Sequence, residues 1–211
     1  MGRLCQARLV FWDFDGVIKQ SVEVKAWAFA ELFRSRSAAL AERVRIHHLA
    51  NGGLSRFEKM PTYLTWAGIE PTPEKVAQYC QRFSDLALQG VVDAEWVPGA
   101  ERLLRENPYG QEFVLFTATP QQEIEAILNA LQLDTCFAQV HGAPTSKAAA
   151  IKSVLASGQL RPEQCLAIGD ARADYDAACA NSVPFLLRRH ESNGAVFRDY
   201  TGDSIQDFTA S

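Results

Sequence analysis

The chain has 211 residues, 47% hydrophobic and 22% charged, which is the composition of an ordinary globular protein. A chain of this length fits one or two domains and can bury roughly 70% of its unfolded surface without a disulfide or metal staple. With 21 basic and 25 acidic residues the formal net charge is -4, which excludes a strongly basic nucleic-acid binder on bulk charge.

Arg8 to Phe14 (RLVFWDF) is a short apolar run of β-formers and reads as a buried strand that stops at an acid. Its apolar part, Leu9 to Trp12, is too short for a signal-peptide core, and no run reaches the length of a membrane span. Helical spacing follows over Ser21 to Phe33, then over Ser37 to Leu49, Ser55 to Trp66 and Pro73 to Leu88. Thr72-Pro73 is an N-cap with proline at the first helical position. Val17 to Gly90 is therefore expected to be almost wholly helical.

After Pro98-Gly99 the pattern changes. Gly99 to Glu106 reads as helix and Glu112 to Thr117 as strand. Thr119 is expected to cap a helix that has Pro120 at its first position, Gln122 in a capping box and an end near Leu131. Strands at Phe137 to His141, Cys165 to Gly169 and Val183 to Leu187 alternate with helices at Ser146 to Ala156 and Ala171 to Asn181. Such alternation predicts a parallel sheet with crossover helices, and the weakly patterned tail after Arg189 allows one edge element. The five cysteines (Cys5, Cys80, Cys136, Cys165, Cys179) are scattered, odd in number and contain no CxxC pair. They are expected to be buried, reduced thiols of a cytoplasmic protein.

In open parallel sheets ligands sit at the carboxyl ends of the strands. The residues just past the expected strands are Asp13 and Asp15, Thr117 to Thr119, Thr145 to Lys147, and Asp170 continuing to Asp174. Four carboxylates at one buried rim need a partner, and oxygen donors of this kind suit Mg²⁺. Singly, each segment has a plain structural explanation: a turn, a cap, a solvated lysine, or acids favoured by a helix dipole. All four in this order, each at a strand end, point to chemistry instead.

FWDFDGV at 11 to 17, LFTAT at 115 to 119, Lys147 and IGDARADYDAA at 168 to 178 resemble, in this order, the four motifs of the haloacid dehalogenase superfamily. The helical stretch after Val17 resembles the small cap of the subclass that contains phosphoglycolate phosphatases and β-phosphoglucomutases. The resemblance implies an α/β fold, with a Rossmann-like three-layer core at residues 1–17 and 92–211 and a helical cap at 18–91. It implies a Mg²⁺-dependent phosphatase acting on a small anionic phosphorylated metabolite, with neither nucleic acid nor membrane as partner. Asp13 would be the nucleophile and Asp15 the general acid and base. Asp13, the Asp15 carbonyl and Asp170 would hold the metal, with Asp174 serving a metal water or Lys147. Thr117, Lys147, Gly16 and the Ala118 amide would meet the phosphoryl group. The second motif usually carries Asn or Ser where Ala118 stands, so a side-chain contact is lost. Gly169 is the phosphatase-like choice at a place where β-phosphoglucomutases carry an acid. Asp15 argues against dehalogenation, since dehalogenases replace it.

Within the helical stretch, Asn51-Gly52-Gly53-Leu54-Ser55-Arg56 resembles the segment with which mutase-like caps hold a second anion, so Arg56 is expected to fork onto one. Lys25 faces either the nucleophile or solvent. His47, His48 and His190 read as surface residues, and Trp27, Phe29, Phe33, Phe57 and Trp66 as core of the helical stretch. Two alternatives stay open. A sugar-phosphate phosphomutase is supported by Arg56 and opposed by Gly169. A non-catalytic phospho-accepting switch or sensor is opposed by the order of the acids around Lys147 and by the intact acid set. Oligomeric state is not legible.

Overall fold

Leu9–Trp12 forms strand β1, and all four of its side chains are buried. Period-2 alternation sends them to opposite faces of the sheet. Val10 and Trp12 pack on one side with Phe113, Leu115, Leu166 and Ile168. Leu9 and Phe11 pack on the other with Val114, Phe116 and Ala167. Apolar side chains on both faces require a layer of helices over each.

The computed structural model describes residues 2–209, so Met1 and residues 210–211 of the expected core lie outside it. Helix α1 (Gly2–Gln6) precedes β1, and four helices follow it: α2 (Val22–Arg34), α3 (Ala38–Ala50), α4 (Arg56–Trp66) and α5 (Pro73–Asp93). Then come α6 (Ala100–Glu106), β2 (Glu112–Pro120), α7 (Gln121–Ala130), β3 (Gln139–Ala143) and α8 (Lys147–Leu155). The chain ends with β4 (Cys165–Gly169), α9 (Arg172–Ala180), β5 (Phe185–Arg188) and β6 (Ser204–Ile205).

The six strands form one parallel sheet in the order β3-β2-β1-β4-β5-β6. This is the α/β, three-layer, Rossmann-like arrangement that the alternating pattern implied. β6 is the edge element allowed for the tail, while α1 had no signal long enough to read. On one face the apolar layer continues from the sheet into the inserted helices through Phe29, Phe33, Tyr63 and Phe83. On the other it meets α8 and α9 through Ala150, Ile151, Ala177 and Ala178. The two segments joining the insertion to the sheet run side by side. Val97 N–H donates to the Ile18 carbonyl at 2.9 Å and Gln20 N–H to the Glu95 carbonyl at 2.8 Å.

Caps explain most helix starts. Thr72 accepts from Lys75 N–H at 3.4 Å with Pro73 behind it, as expected. Ser55 and Glu58 complete a reciprocal capping box on α4. Thr119 departs from expectation. β2 runs on to Pro120, which pairs with Ala143, so α7 starts at Gln121 without a side-chain cap. The Thr119 hydroxyl is thereby free to point into the cleft described below. Other expectations are also corrected. Trp27 and Phe57 are exposed rather than core, because the faces of α2 and α4 that they occupy have no layer over them. Cys5 and Cys179 are exposed, whereas Cys80 and Cys165 are buried. No described helix is long and apolar enough to cross a membrane.

Candidate active site

β1 lies between β2 and β4, where the strand order reverses, and the crevice at the carboxyl ends opens there. Asp13 is the first residue past β1, anchored by its N–H to the Ile168 carbonyl at 3.0 Å. Its Oδ1 lies 2.8 Å from Lys147 Nζ, at the first residue of α8. Lys147 also pairs with Asp174 Oδ1. Asp174 Oδ2 accepts from the N–H groups of Ala171 and Asp170, at 2.9 and 3.2 Å. Asp174 thus spends its carboxylate on Lys147 and on the turn that presents Asp170.

Asp13, Asp170 and Asp174 are buried, and each offers an oxygen within 4.8 Å of the others. Burial pushes the Asp13 carboxyl well up. Lys147 pulls it back, while Asp174, Asp170 and Asp15 raise it again. The Lys147 ammonium is raised above its ordinary value, because Asp13 and Asp174 outweigh the effect of burial. One ammonium against this many acids leaves uncompensated negative charge, and the donors are all hard oxygens. The set therefore fits a divalent cation such as Mg²⁺. Gly16 adds a second sign of fit. At φ +74° a Cβ there would stand 2.2 Å from Asp170 Oδ2, so only glycine leaves the space open.

Asp15 is built differently. Its Oδ1 accepts from Ser21 at 2.6 Å, and its Oδ2 pairs with Lys25, whose Nζ also donates to Thr119 Oγ1 at 2.8 Å. Burial raises Asp15, but the Lys25 charge and hydrogen bonds from Lys25 and Ser21 overcome this and lower it below the ordinary carboxylate value. Lys25 therefore faces Asp15 rather than solvent. Thr117 is buried, and its hydroxyl accepts from Thr119 N–H at 3.2 Å. Thr117, Ala118, Lys25, Arg56, Asp13, Asp15, Lys147 and Asp170 all line one cleft between the strand ends and the insertion. At Gly169 a Cβ would meet the Asp174 Cβ at 2.3 Å, so an acidic side chain has no room there.

Arg56 was expected to offer its fork to a substrate anion. Instead the guanidinium holds Glu123 of α7 with both nitrogens, at 2.5 and 2.8 Å, and also touches Ser84. It lies over the Phe83 ring. Lys59, which the sequence reading passed over, lines the same cleft. Its spacing of three residues from Arg56 on α4 was the available signal, since such pairs share a helix face. Two histidines read as surface residues also belong here. His190 Nε2 is 2.7 Å from Asp170 Oδ2, and Asn193 holds the Asp170 carbonyl at 2.9 Å. His48 is buried against Phe29, with Nδ1 3.0 Å from Lys59 Nζ. His190 had no local signal, because its contact is 20 residues away in sequence.

A parallel sheet with acids gathered at the order reversal is a Rossmann-like core with a candidate site at its switch point. The chain belongs to the haloacid dehalogenase-like hydrolase family, whose model matches residues 10–178. Over 188 residues it is 26% identical to a phosphoglycolate phosphatase of Pectobacterium atrosepticum, covering 85% of this chain and 79% of that protein. Its fold is similar to CbbY from Rhodobacter sphaeroides, solved with phosphate, at TM-score 0.76 and 17% identity over 96% and 95% of the two chains. It is also similar to the β-phosphoglucomutase of Clostridium difficile, at TM-score 0.72 and 17% identity over 96% and 92%.

Proposed function

We propose that the chain is a Mg²⁺-dependent phosphomonoesterase that hydrolyses a small anionic phosphorylated metabolite through an aspartyl phosphate on Asp13. The observation that carries the reading is the contrast between two acids two residues apart. Asp13 sits among buried acids beside Lys147, and Asp15 is held apart by Lys25, Ser21 and Thr119. Two carboxylates whose surroundings drive them in opposite directions suit two different roles.

Asp13, the Asp15 carbonyl and Asp170 would hold Mg²⁺, with Asp174 behind them. Bound there, the ion supplies positive charge that keeps Asp13 ionised and offsets the phosphoryl oxygens. The Asp13 carboxylate attacks phosphorus, and the P–O bond to the leaving group breaks. Asp15 donates a proton to the departing oxygen and later takes one from the water that attacks phosphorus. In that second step the bond from phosphorus to the Asp13 oxygen breaks and frees phosphate and the Asp13 carboxylate. Lys25, by lowering Asp15, favours the base half of this cycle and works against the acid half. Lys147, Thr117 and the amide of Ala118 meet the phosphoryl oxygens, and Gly16 keeps the space beside Asp170 open. Residues 18–91 act as a cap over a core of 1–17 and 92–211, and the paired connecting segments serve as its hinge. Closure excludes water until the phosphoryl group has moved. The mutase reading is less favoured, since Arg56 is engaged by Glu123 and Gly169 leaves no room for an acid.

Phosphate release from a panel of phosphorylated metabolites, with and without Mg²⁺, tests the proposal. Metal-dependent release from at least one small acidic monoester is expected. Conversion of β-glucose 1-phosphate to the 6-phosphate without phosphate release would support the mutase instead.

A further inference from the structure

One short turn after β5 holds Asp170 at two points. His190 Nε2 is 2.7 Å from its Oδ2, and Asn193 Nδ2 donates to its carbonyl at 2.9 Å. Asn193 is buried and also closes the turn on itself. Its Nδ2 donates to the Arg188 carbonyl at 2.8 Å, and its Oδ1 accepts from His190 N–H at 3.0 Å. Residues 190–193 are thereby braced as one body, whose outer side rests on the inserted helices. Ser192 Oγ donates to Glu23 Oε1 of α2 at 2.9 Å, and the turn packs against α3. Glu23 Oε2 pairs with Arg45 of α3 at 3.2 Å, so both oxygens of this carboxylate are engaged. An acid in the first turn of α2 is favoured by the helix dipole wherever it points, but here its direction is fixed from both sides. The start of α2 also stands close to Asp170 directly. A Cβ at Gly16 would lie 2.2 Å from Asp170 Oδ2 and 2.9 Å from Val22 Cγ2.

We propose that Glu23, on the first inserted helix, is a positioning residue for Asp170, acting through Ser192 and the turn that carries His190 and Asn193. The divalent-cation site of the sheet layer is then completed by the insertion. The proposal rests on the assignment of the cation to Asp13 and Asp170, and not on the substrate. A carboxylate free to rotate loses that freedom when it takes up a cation, whereas one already oriented by hydrogen bonds does not. His190 and Asn193 orient Asp170 only while their own turn stays in place. Glu191 and residues 194–196 on either side of it are exposed, so little packing fixes the turn from outside. The Ser192 to Glu23 bond supplies that fixing. The bond is exposed and joins a hydroxyl to a carboxylate, so its effect is that of one hydrogen bond rather than of a buried ion pair.

Calorimetric titration of the full chain with Mg²⁺ alone, in the absence of substrate, tests this. The heat that Asp170→Asn removes identifies the site. Ser192→Ala deletes the bond without changing any charge, and Glu23→Ala deletes it from the other side. Each is expected to raise the Mg²⁺ Kd about 3-fold, and the double variant no further than either alone, because both remove the same bond. Glu23→Gln keeps an acceptor for Ser192 and should keep most of the wild-type affinity. Thermal unfolding without Mg²⁺ should be nearly unchanged in all of them, since neither side chain belongs to the core. A Kd unchanged in Ser192→Ala overturns the proposal. Glu23→Gln weakening Mg²⁺ as much as Glu23→Ala also overturns it, since Glu23 would then act only as a distant charge. A wild type that binds no Mg²⁺ overturns the metal assignment and this proposal with it, whereas equal binding by all variants overturns the role of Glu23 alone.

Discussion

Arg56 at the start of α4 and Glu123 in the first turn of α7 form a two-pronged ion pair that ties the inserted helices to the sheet layer. Both side chains are largely buried, and Ser84 of α5 adds a hydrogen bond to Glu123 at 2.6 Å. Burial raises the Glu123 carboxyl, but Arg56 and Ser84 more than reverse this and lower it.

Removing one partner strands the other charge, so Arg56→Ala or Glu123→Gln should each destabilise the fold by about 3–5 kcal/mol. Joint replacement by Met and Leu should recover most of the loss, and thermal unfolding of the single and double variants measures this. Activity on 2-phosphoglycolate and on para-nitrophenyl phosphate should fall together. A loss confined to 2-phosphoglycolate would assign Arg56 to the substrate instead.

Asp13→Asn should lower turnover by on the order of 10⁴-fold or more, because an amide cannot form the acyl phosphate. The same change removes a buried acid crowded by others, so the melting temperature should hold or rise. Steady-state assays and calorimetry on one preparation check both halves.

Asp15→Asn should act later in the cycle. With para-nitrophenyl phosphate, whose leaving group needs little protonation, the aspartyl phosphate should accumulate as a burst followed by slow hydrolysis. Rapid quench resolves the two phases, and equal slowing of both would contradict the role given to Asp15.

His190 and Asn193 orient Asp170. Chelation should abolish turnover and added Mg²⁺ should restore it. His190→Ala should raise the Mg²⁺ needed for half-maximal activity about 10-fold, typical of losing a residue that orients a ligand. An unchanged Mg²⁺ dependence would remove His190 from this function.

Lys59 has a stability signature. Its folded-state value of about 7 lies below the ordinary 10.5, so the unfolded chain binds more protons between these limits. Native stability should therefore gain from this group as pH rises through that window. The groups facing Lys59 are Lys25 of α2, His48 of α3, Arg56 and Glu58 of α4, and Asp15 after β1. Lys59→Met should stabilise the protein more at pH 6 than at pH 9, by roughly 2–3 kcal/mol. Urea unfolding at the two pH values reads the difference.

The sequence by itself determined the sheet and the acid-lined rim at its strand ends. Strand and helix periods are local, and a parallel sheet brings every strand's carboxyl end to one edge. Asp13, Thr117 and Asp170 were legible because each stands at or just past the end of an apolar run, and Lys147 because it opens the helix after one. What faces that rim was decided only in three dimensions. Arg56 meets Glu123 from 67 residues away, and His190 meets Asp170 across the turn after β5. No periodicity encodes such crossings, since they depend on how whole layers dock. Thr119 shows the limit most closely. Its sequence context reads as a helix cap, but pairing of Pro120 with Ala143 extends β2 and turns the hydroxyl toward Lys25. His48 read as a surface residue and Lys59 carried no signal of its own, until packing of α3 and α4 beside Phe29 buried them together.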